Sequence, residues 1–154
     1  MKTKRLILRP LFLLLLLPAA LFAQDRQDRK DKVETMHIAY LNQKLDLTSD
    51  EAKKFWPVYD QYKSDQRELR RQRQDNVESV RKSGGIDNMN DADAQKLIAA
   101  ETDLETRELE LRKKYVLKFE QVVPTHKVAK FFIAEDEFKR YLLNQLKRKN
   151  EGNE

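Results

Sequence analysis

The sequence contains no cysteine and is poor in the two residues that most often interrupt regular structure. Its 154 residues include three Gly and four Pro. Without cysteine the chain cannot form disulfides, thiolate metal sites or a thiol nucleophile. So few Gly and Pro residues leave almost no turns for a fold built from many short strands. An all-α fold is therefore expected.

Large apolar side chains are also scarce once the N-terminus is set aside. Residues 24–154 contain 29 Leu, Ile, Val and Phe among 131 residues, little above the share found in disordered chains. One domain is the natural expectation for this length. Because such a domain can bury only a thin core, we expect an elongated or oligomeric arrangement of helices.

The first 23 residues hold the only long apolar run and most of the excess positive charge. Four bases and no acid precede it, so residues 24–154 carry 27 bases and 26 acids. The apolar run reaches roughly 20 Å, which is short for a ~30 Å hydrocarbon core. This pattern predicts a signal peptide cleaved after Ala23 and a product outside the cytoplasm without a membrane span. The nearly neutral remainder disfavours a nucleic-acid partner.

The remainder is predicted to form a charged flexible leader over residues 24–31, a helical domain over residues 32–149 and a tail over residues 150–154. Apolar residues recur at helical spacing from Val33 to Leu45, with Met36 among them, and predict a short first helix.

The second predicted helix has the clearest start. Thr48 and Glu51 have the spacing of a capping box. The helix should bend at Pro57 and end at Ser83-Gly84-Gly85.

A third helix is predicted from Asp91 to Val122, and the Val123-Pro124 break separates it from a fourth, which should end before the charged segment 147–154. The two helix starts also align at an offset of 76 residues. This alignment matches Phe55 with Phe131 and indicates a weak internal repeat.

Four features of the sequence together resemble the periplasmic Spy/CpxP family, whose signature is the LTXXQ motif. They are the export signal, the short first helix, the Leu-Thr helix start and the long charged helices. Leu47 and Thr48 match this motif, Glu51 and Phe55 follow in the same helix start, and no Gln closes the pattern. The resemblance covers about residues 32–148.

Residues 45–62 are also similar to the version of the motif common in secreted proteins from Bacteroidetes-type bacteria. The resemblance implies a four-helix, cradle-shaped homodimer that binds unfolded client proteins without ATP. It also fits a relative that reports envelope stress, in some cases metal stress, to a membrane sensor.

No pattern in the sequence is typical of catalysis. There is no Ser-His-Asp spacing, and Gly84-Gly85 is the only internal glycine pair, so a phosphate-binding loop is absent. We expect neither an enzyme nor a cofactor. His37 and His126 are weak metal-ligand candidates. Met36 cannot share an ion with His37 easily, because adjacent helical residues point about 100° apart.

Charge is segregated between the second and third helices. Residues 63–73 have a net charge of +3, whereas residues 101–110 have a net charge of −4. If the two helices pack antiparallel, these segments should face each other through exposed ion pairs.

Aromatic side chains gather at the two similar helix starts. Most should be core, because a thin core needs the largest side chains. Any that stay exposed beside the bases of the second helix could bind non-native chains by apolar contact and charge. The client-binding candidates are Trp56, Tyr59, Tyr62, Arg67, Arg70, Arg71, Phe131 and Phe132. A chaperone, a signalling accessory and a purely structural bundle remain open.

Overall fold

The structure, a computed structural model, describes the backbone of residues 17–151, with side chains over residues 28–148 and at Glu151. The all-α prediction is confirmed, since residues 17–151 form four helices and no strand. None of the described helices is long and apolar enough to cross a membrane. The elements are α1 (Leu17–Leu45), α2 (Ser49–Lys82), a 3₁₀ turn (Ile86–Asn88), α3 (Asp91–Glu120) and α4 (Thr125–Glu151).

The helix α1 includes the segment that the sequence predicted to be a flexible leader. Residues 24–31 are helical, and the side chains described there are exposed. The segment contains neither Pro nor Gly and is rich in Gln, Arg and Lys, which favour helix even where nothing is buried. Residues 1–16 of the predicted signal peptide lie outside the described part of the chain.

By their contacts, the described residues divide into one unit that ends at Gln43 and a second that begins at Lys44. In the first unit the buried side chains are His37 and Leu41, whereas Met36 is 36% exposed. The prediction that Met36 lies on the buried face of the first helix is therefore wrong. The buried side chains, His37 and Leu41, are four residues apart and lie on a neighbouring face.

The predicted stop and start signals around the loop between α2 and α3 are confirmed. Gly84 and Gly85 have φ angles of 106° and 82°, a left-handed conformation that glycine adopts without steric cost. The Asn90 side chain accepts a hydrogen bond of 3.0 Å from the amide of Asp93 and caps α3. The helix α2 continues through Pro57.

The predicted capping box at the start of α2 is present. The Thr48 hydroxyl accepts a hydrogen bond of 3.2 Å from the amide of Glu51, and the Glu51 carboxylate accepts one of 2.8 Å from the amide of Thr48. Lys127, at the start of α4, also donates to Glu51 at 2.7 Å and to the Asp46 carbonyl at 2.6 Å. These bonds hold the starts of α2 and α4 side by side.

The core of residues 44–154 is a cluster of aromatic rings from α2, α3 and α4. Phe131 lies 5.5 Å from Phe55 and 4.9 Å from Phe119, measured between ring centroids. Phe55 and Phe131 are the positions matched by the predicted repeat, as are Glu51 and Lys127. The repeat itself stays a prediction, but its two copies are in direct contact.

The helix directions follow from the residues that touch. Contacts between α2 and α4 advance together, from Glu51–Lys127 to Lys63–Glu135, so these helices are parallel. Contacts between α2 and α3 advance in opposite directions, from Asp65–Lys114 to Arg73–Glu101. These two helices are antiparallel.

The helix α4 runs on to Glu151 instead of ending before Lys147. The charged segment 147–151 contains no Pro or Gly before Gly152, so nothing in it stops a helix that is already formed. Residues 152–154 of the predicted tail lie outside the described residues.

Candidate binding cleft

Three of the aromatic client-binding candidates belong to the core. Tyr59, Tyr62 and Phe131 are 1%, 5% and 0% exposed, so the expectation that they offer an exposed client surface is wrong. Each is enclosed by other rings of the aromatic cluster, such as Phe55 against Tyr59 at 6.2 Å. Burial of these rings supplies the core that the scarce aliphatic residues cannot.

The other two aromatic candidates, Trp56 and Phe132, are half-buried. Trp56 packs edge-on against Phe55 at 5.3 Å. Phe132 lies 4.9 Å from Phe131, and its ring contacts the Arg112 guanidinium at 4.5 Å from the ring centroid. Phe132 therefore joins the core to a charged surface.

That surface is a cleft of about 310 Å³ between α2, α3 and α4. Its apolar lining is Leu111, Phe132 and the small accessible part of Tyr62. Charged and amide side chains surround this apolar part: Gln66, Arg70, Arg73, Glu108, Arg112, Glu135, Asp136 and Lys139. We call this site the binding cleft. Its volume is at the lower end of the range for ligand pockets.

Each acid in the binding cleft has a basic partner. Glu135 is bonded to Lys63 at 3.4 Å, and this pair is largely buried. Asp136 pairs with Lys139 at 3.4 Å on the surface of α4. The third acid, Glu108, accepts a hydrogen bond of 2.9 Å from Arg73.

Two bases of the binding cleft, Arg70 and Arg112, form no ion pair with any described residue. The charges of both arginines affect the pKa of the buried Tyr62 hydroxyl. Burial raises the pKa of Tyr62 above its usual value and the charge of Glu135 adds to the rise, whereas the charges of Arg112 and Arg70 oppose it. The two guanidinium groups therefore lie within electrostatic reach of one point in the cleft.

The other two predicted basic candidates, Arg67 and Arg71, are exposed but do not line the binding cleft. Arg71 is bound within its own helix, to Glu68 at 2.7 Å and to Asp75 at 3.2 Å. Residues 67 and 71 are four apart and share a face of α2 that points away from the cleft.

The predicted pairing of the basic and acidic segments is confirmed at Arg73. Its guanidinium donates hydrogen bonds of 2.9 Å to Glu101 and to Glu108, and these bonds raise the pKa of Arg73. Arg73 thus joins α2 to two residues of α3 that are about two turns apart.

The four residues that the sequence analysis assigned to the motif region have structural roles. Thr48 and Glu51 form the cap, Phe55 is fully buried and Leu47 is half-buried beside the turn. Hydrogen bonds from Lys127 and from the Thr48 amide lower the pKa of Glu51. The motif therefore anchors the helix start that carries the aromatic cluster.

The weak metal candidates lie in different environments, with His37 buried and His126 exposed. Within the described residues there is no group of three or more His, Cys, Asp or Glu side chains that could hold a metal ion.

Sequence reasoning missed Arg112, Lys139 and Lys63 as residues of this region. Arg112 directly follows Leu111, and Leu97, Leu104 and Leu111 recur every seven residues along α3. Its position beside this apolar line could have indicated it. Lys63 carried no such signal, because its partner Glu135 lies on α4 and is 72 residues away.

No protein-family model matches this chain, and no curated protein and no solved structure matches it.

Proposed function

We propose that the chain is a chaperone-like protein of the Spy/CpxP type, which holds segments of non-native polypeptide in the binding cleft without using nucleotide. The observation that carries this proposal is the half-buried Phe132 beside Leu111 within a ring of charged side chains. An apolar patch of this kind binds aromatic or aliphatic side chains weakly, and the charges around it speed their encounter.

The binding cleft is open, and most of its polar groups are long, flexible side chains. Such a surface adapts to many sequences, which a protein with many clients requires. A purely structural bundle would have no need for uncovered apolar side chains beside unpaired arginines.

Aggregation of a heat-unfolded client protein tests the proposal. The wild-type chain should lower light scattering at near-stoichiometric ratio without ATP. Phe132→Ala should weaken this protection several-fold, because it removes the half-buried aromatic ring from the apolar lining. Ile133→Ala is the matched control, since Ile133 is the next residue, is 58% exposed and does not line the cleft.

Both variants must remain folded at the assay temperature, which circular dichroism would establish. If the wild-type chain leaves scattering unchanged at several-fold excess, the chaperone proposal is wrong. Saturable binding to the exported domain of one membrane sensor would then favour a role in envelope stress signalling.

The proposal includes export and self-association. We propose that a signal peptide is removed after Ala23 and that the periplasmic product forms a homodimer. N-terminal sequencing of the exported protein would test the cleavage site, and sedimentation equilibrium would test the dimer. An intact N-terminus would refute the first, and a monomer at micromolar concentration would refute the second.

A further inference from the structure

The binding cleft contains two guanidinium groups that pair with no carboxylate of the described residues. Its acids Glu108, Glu135 and Asp136 are each engaged by a base, whereas Arg70 and Arg112 have no carboxylate partner among the described residues. Most other arginines of α2 are paired, including Arg71, Arg73 and Arg81. Arg67 on α2 and Arg140 and Arg148 on α4 also lack a carboxylate partner among the described residues, but none of them lines the cleft. Arg70 and Arg112 differ in that both border the same apolar lining.

The two guanidinium groups are placed for a shared ligand. The Arg112 guanidinium lies over the Phe132 ring, with its carbon 4.5 Å from the ring centroid, and no described residue accepts a hydrogen bond from its N–H groups. Arg70 belongs to the facing helix α2 and lines the same cleft. A ligand between α2 and α3 could accept hydrogen bonds from both.

We propose that Arg70 and Arg112 form a carboxylate-binding site, which receives an Asp or Glu side chain of the bound polypeptide while a neighbouring aromatic residue packs on Phe132 and Leu111. The planar guanidinium matches a carboxylate through two parallel hydrogen bonds. This inference rests on the proposed function, because it takes polypeptide to be the ligand.

A carboxylate fits this site better than a more highly charged anion. Arg73 is shared by Glu101 and Glu108, so the lining residues together with their partners Lys63 and Glu101 include five bases and four acids. One negative charge balances this excess, whereas a dianion such as phosphate exceeds it. The apolar lining adds attraction only for a ligand that carries an apolar group next to its charge. An acidic side chain beside Phe or Tyr satisfies both conditions.

Two short fluorescein-labelled peptides would test the site by fluorescence anisotropy. One is a Gly/Ser peptide that contains Asp-Phe pairs, and the other has Asn in place of each Asp. We expect the wild-type chain to bind the Asp peptide about tenfold more tightly, because hydrogen bonds between charged groups are stronger than neutral ones. The preference should shrink as salt is added.

The double variant R70Q/R112Q should lose this preference and bind both peptides equally. R140Q/R148Q is the matched control, since it removes the same charge from exposed arginines of α4 that do not line the cleft. It should keep the preference. R70K/R112K keeps the charge without the planar fork and should show an intermediate preference. Because these side chains are exposed, the variants should stay folded, and R70Q/R112Q should lose only the small stabilisation of the Arg112–Phe132 contact.

The outcomes separate the carboxylate site from the proposed chaperone function. If the wild-type chain binds neither peptide and no unfolded client, the proposed function fails. If it binds both peptides equally, or if R140Q/R148Q loses the preference as fully as R70Q/R112Q, the carboxylate site alone is refuted. Tighter binding of inorganic phosphate than of the Asp peptide, lost in R70Q/R112Q, would also refute it.

Discussion

The antiparallel helices α2 and α3 are held together differently at their two ends. At one end, which we call the packed end, residues 45–69 pack with residues 104–138 and form the aromatic cluster. At the other, residues 70–103 include the loop, and no side chain in this loop end is buried. Val77 and Ile98 there are 60% and 65% exposed.

At the loop end, ion pairs connect the helices in the absence of buried side chains. Arg73 bonds to Glu101 and Glu108 across the helices, and pairs such as Arg81–Glu78 lie within a single helix. Exposed pairs contribute little each, so the loop end should open more readily than the packed end. The binding cleft lies at the boundary between the packed end and the loop end. Apolar side chains of the packed end are therefore adjacent there to charged side chains of the loop end.

The largest expected effect comes from removing a ring at the packed end. Phe131→Ala should lower the free energy of unfolding by about 3–5 kcal/mol, because it leaves a cavity within the aromatic cluster. Ile98→Ala at the loop end should change it by less than about 0.5 kcal/mol. Urea denaturation followed by circular dichroism measures both. Similar losses for the two variants would contradict the division between the ends.

A smaller loss is expected from the buried ion pair beneath the binding cleft. Lys63→Met should lower the free energy of unfolding by about 2 kcal/mol, because the Glu135 carboxylate stays buried without its 3.4 Å partner.

The double variant K63M/E135M should recover most of that loss, since two apolar side chains of similar size replace the pair. If the double variant is less stable than Lys63→Met, the pair does not behave as a desolvated ion pair.

The two N-caps offer a matched comparison between the ends. Thr48→Ala at the packed end should lower the free energy of global unfolding by about 1 kcal/mol. Asn90→Ala removes an equivalent cap at the loop end, where we expect faster amide exchange in the first turns of α3 and a smaller global change. Amide hydrogen exchange distinguishes these responses. Equal global losses would mean that both ends unfold as one cooperative unit.

The features that the sequence predicted correctly are local. A cap such as Thr48 with Glu51, or a stop such as Gly84-Gly85, is determined by residues within one helical turn, so helix number and order could be predicted. The same signals fail where a helix simply continues, as in residues 24–31, because an exposed charged segment has no feature that marks it as helical or flexible.

The binding cleft could be predicted only in part, because it depends on contacts between helices. Composition indicated that aromatic and basic side chains would meet, but periodicity alone cannot tell that Tyr62 is enclosed while Phe132 is only half-buried. The choice among neighbouring arginines on α2 depends equally on the position of α3. Arg70 faces the cleft and Arg71 bonds to Glu68, although the two are adjacent in sequence.

The smallest effect, and the one most specific to the packed end, concerns Tyr115. Its hydroxyl donates a hydrogen bond of 2.9 Å to Asp65 across α2 and α3, and burial together with this bond raises its pKa to about 12 from 10. Between these values the folded chain binds more protons than the unfolded chain. The stabilisation is therefore complete below pH 10 and is lost as the pH rises towards 12.

Tyr115→Phe should cost about 0.5–1 kcal/mol at neutral pH, because Asp65 keeps its bonds to Gln61 and Lys114. Its stability should then fall less steeply than that of the wild-type chain between pH 10 and 12, as urea denaturation across that range would measure. Part of the slope should remain, because the pKa of Tyr62 is also raised. The slope that this substitution removes belongs to Tyr115 at the packed end, and identical slopes for the two proteins would contradict this assignment.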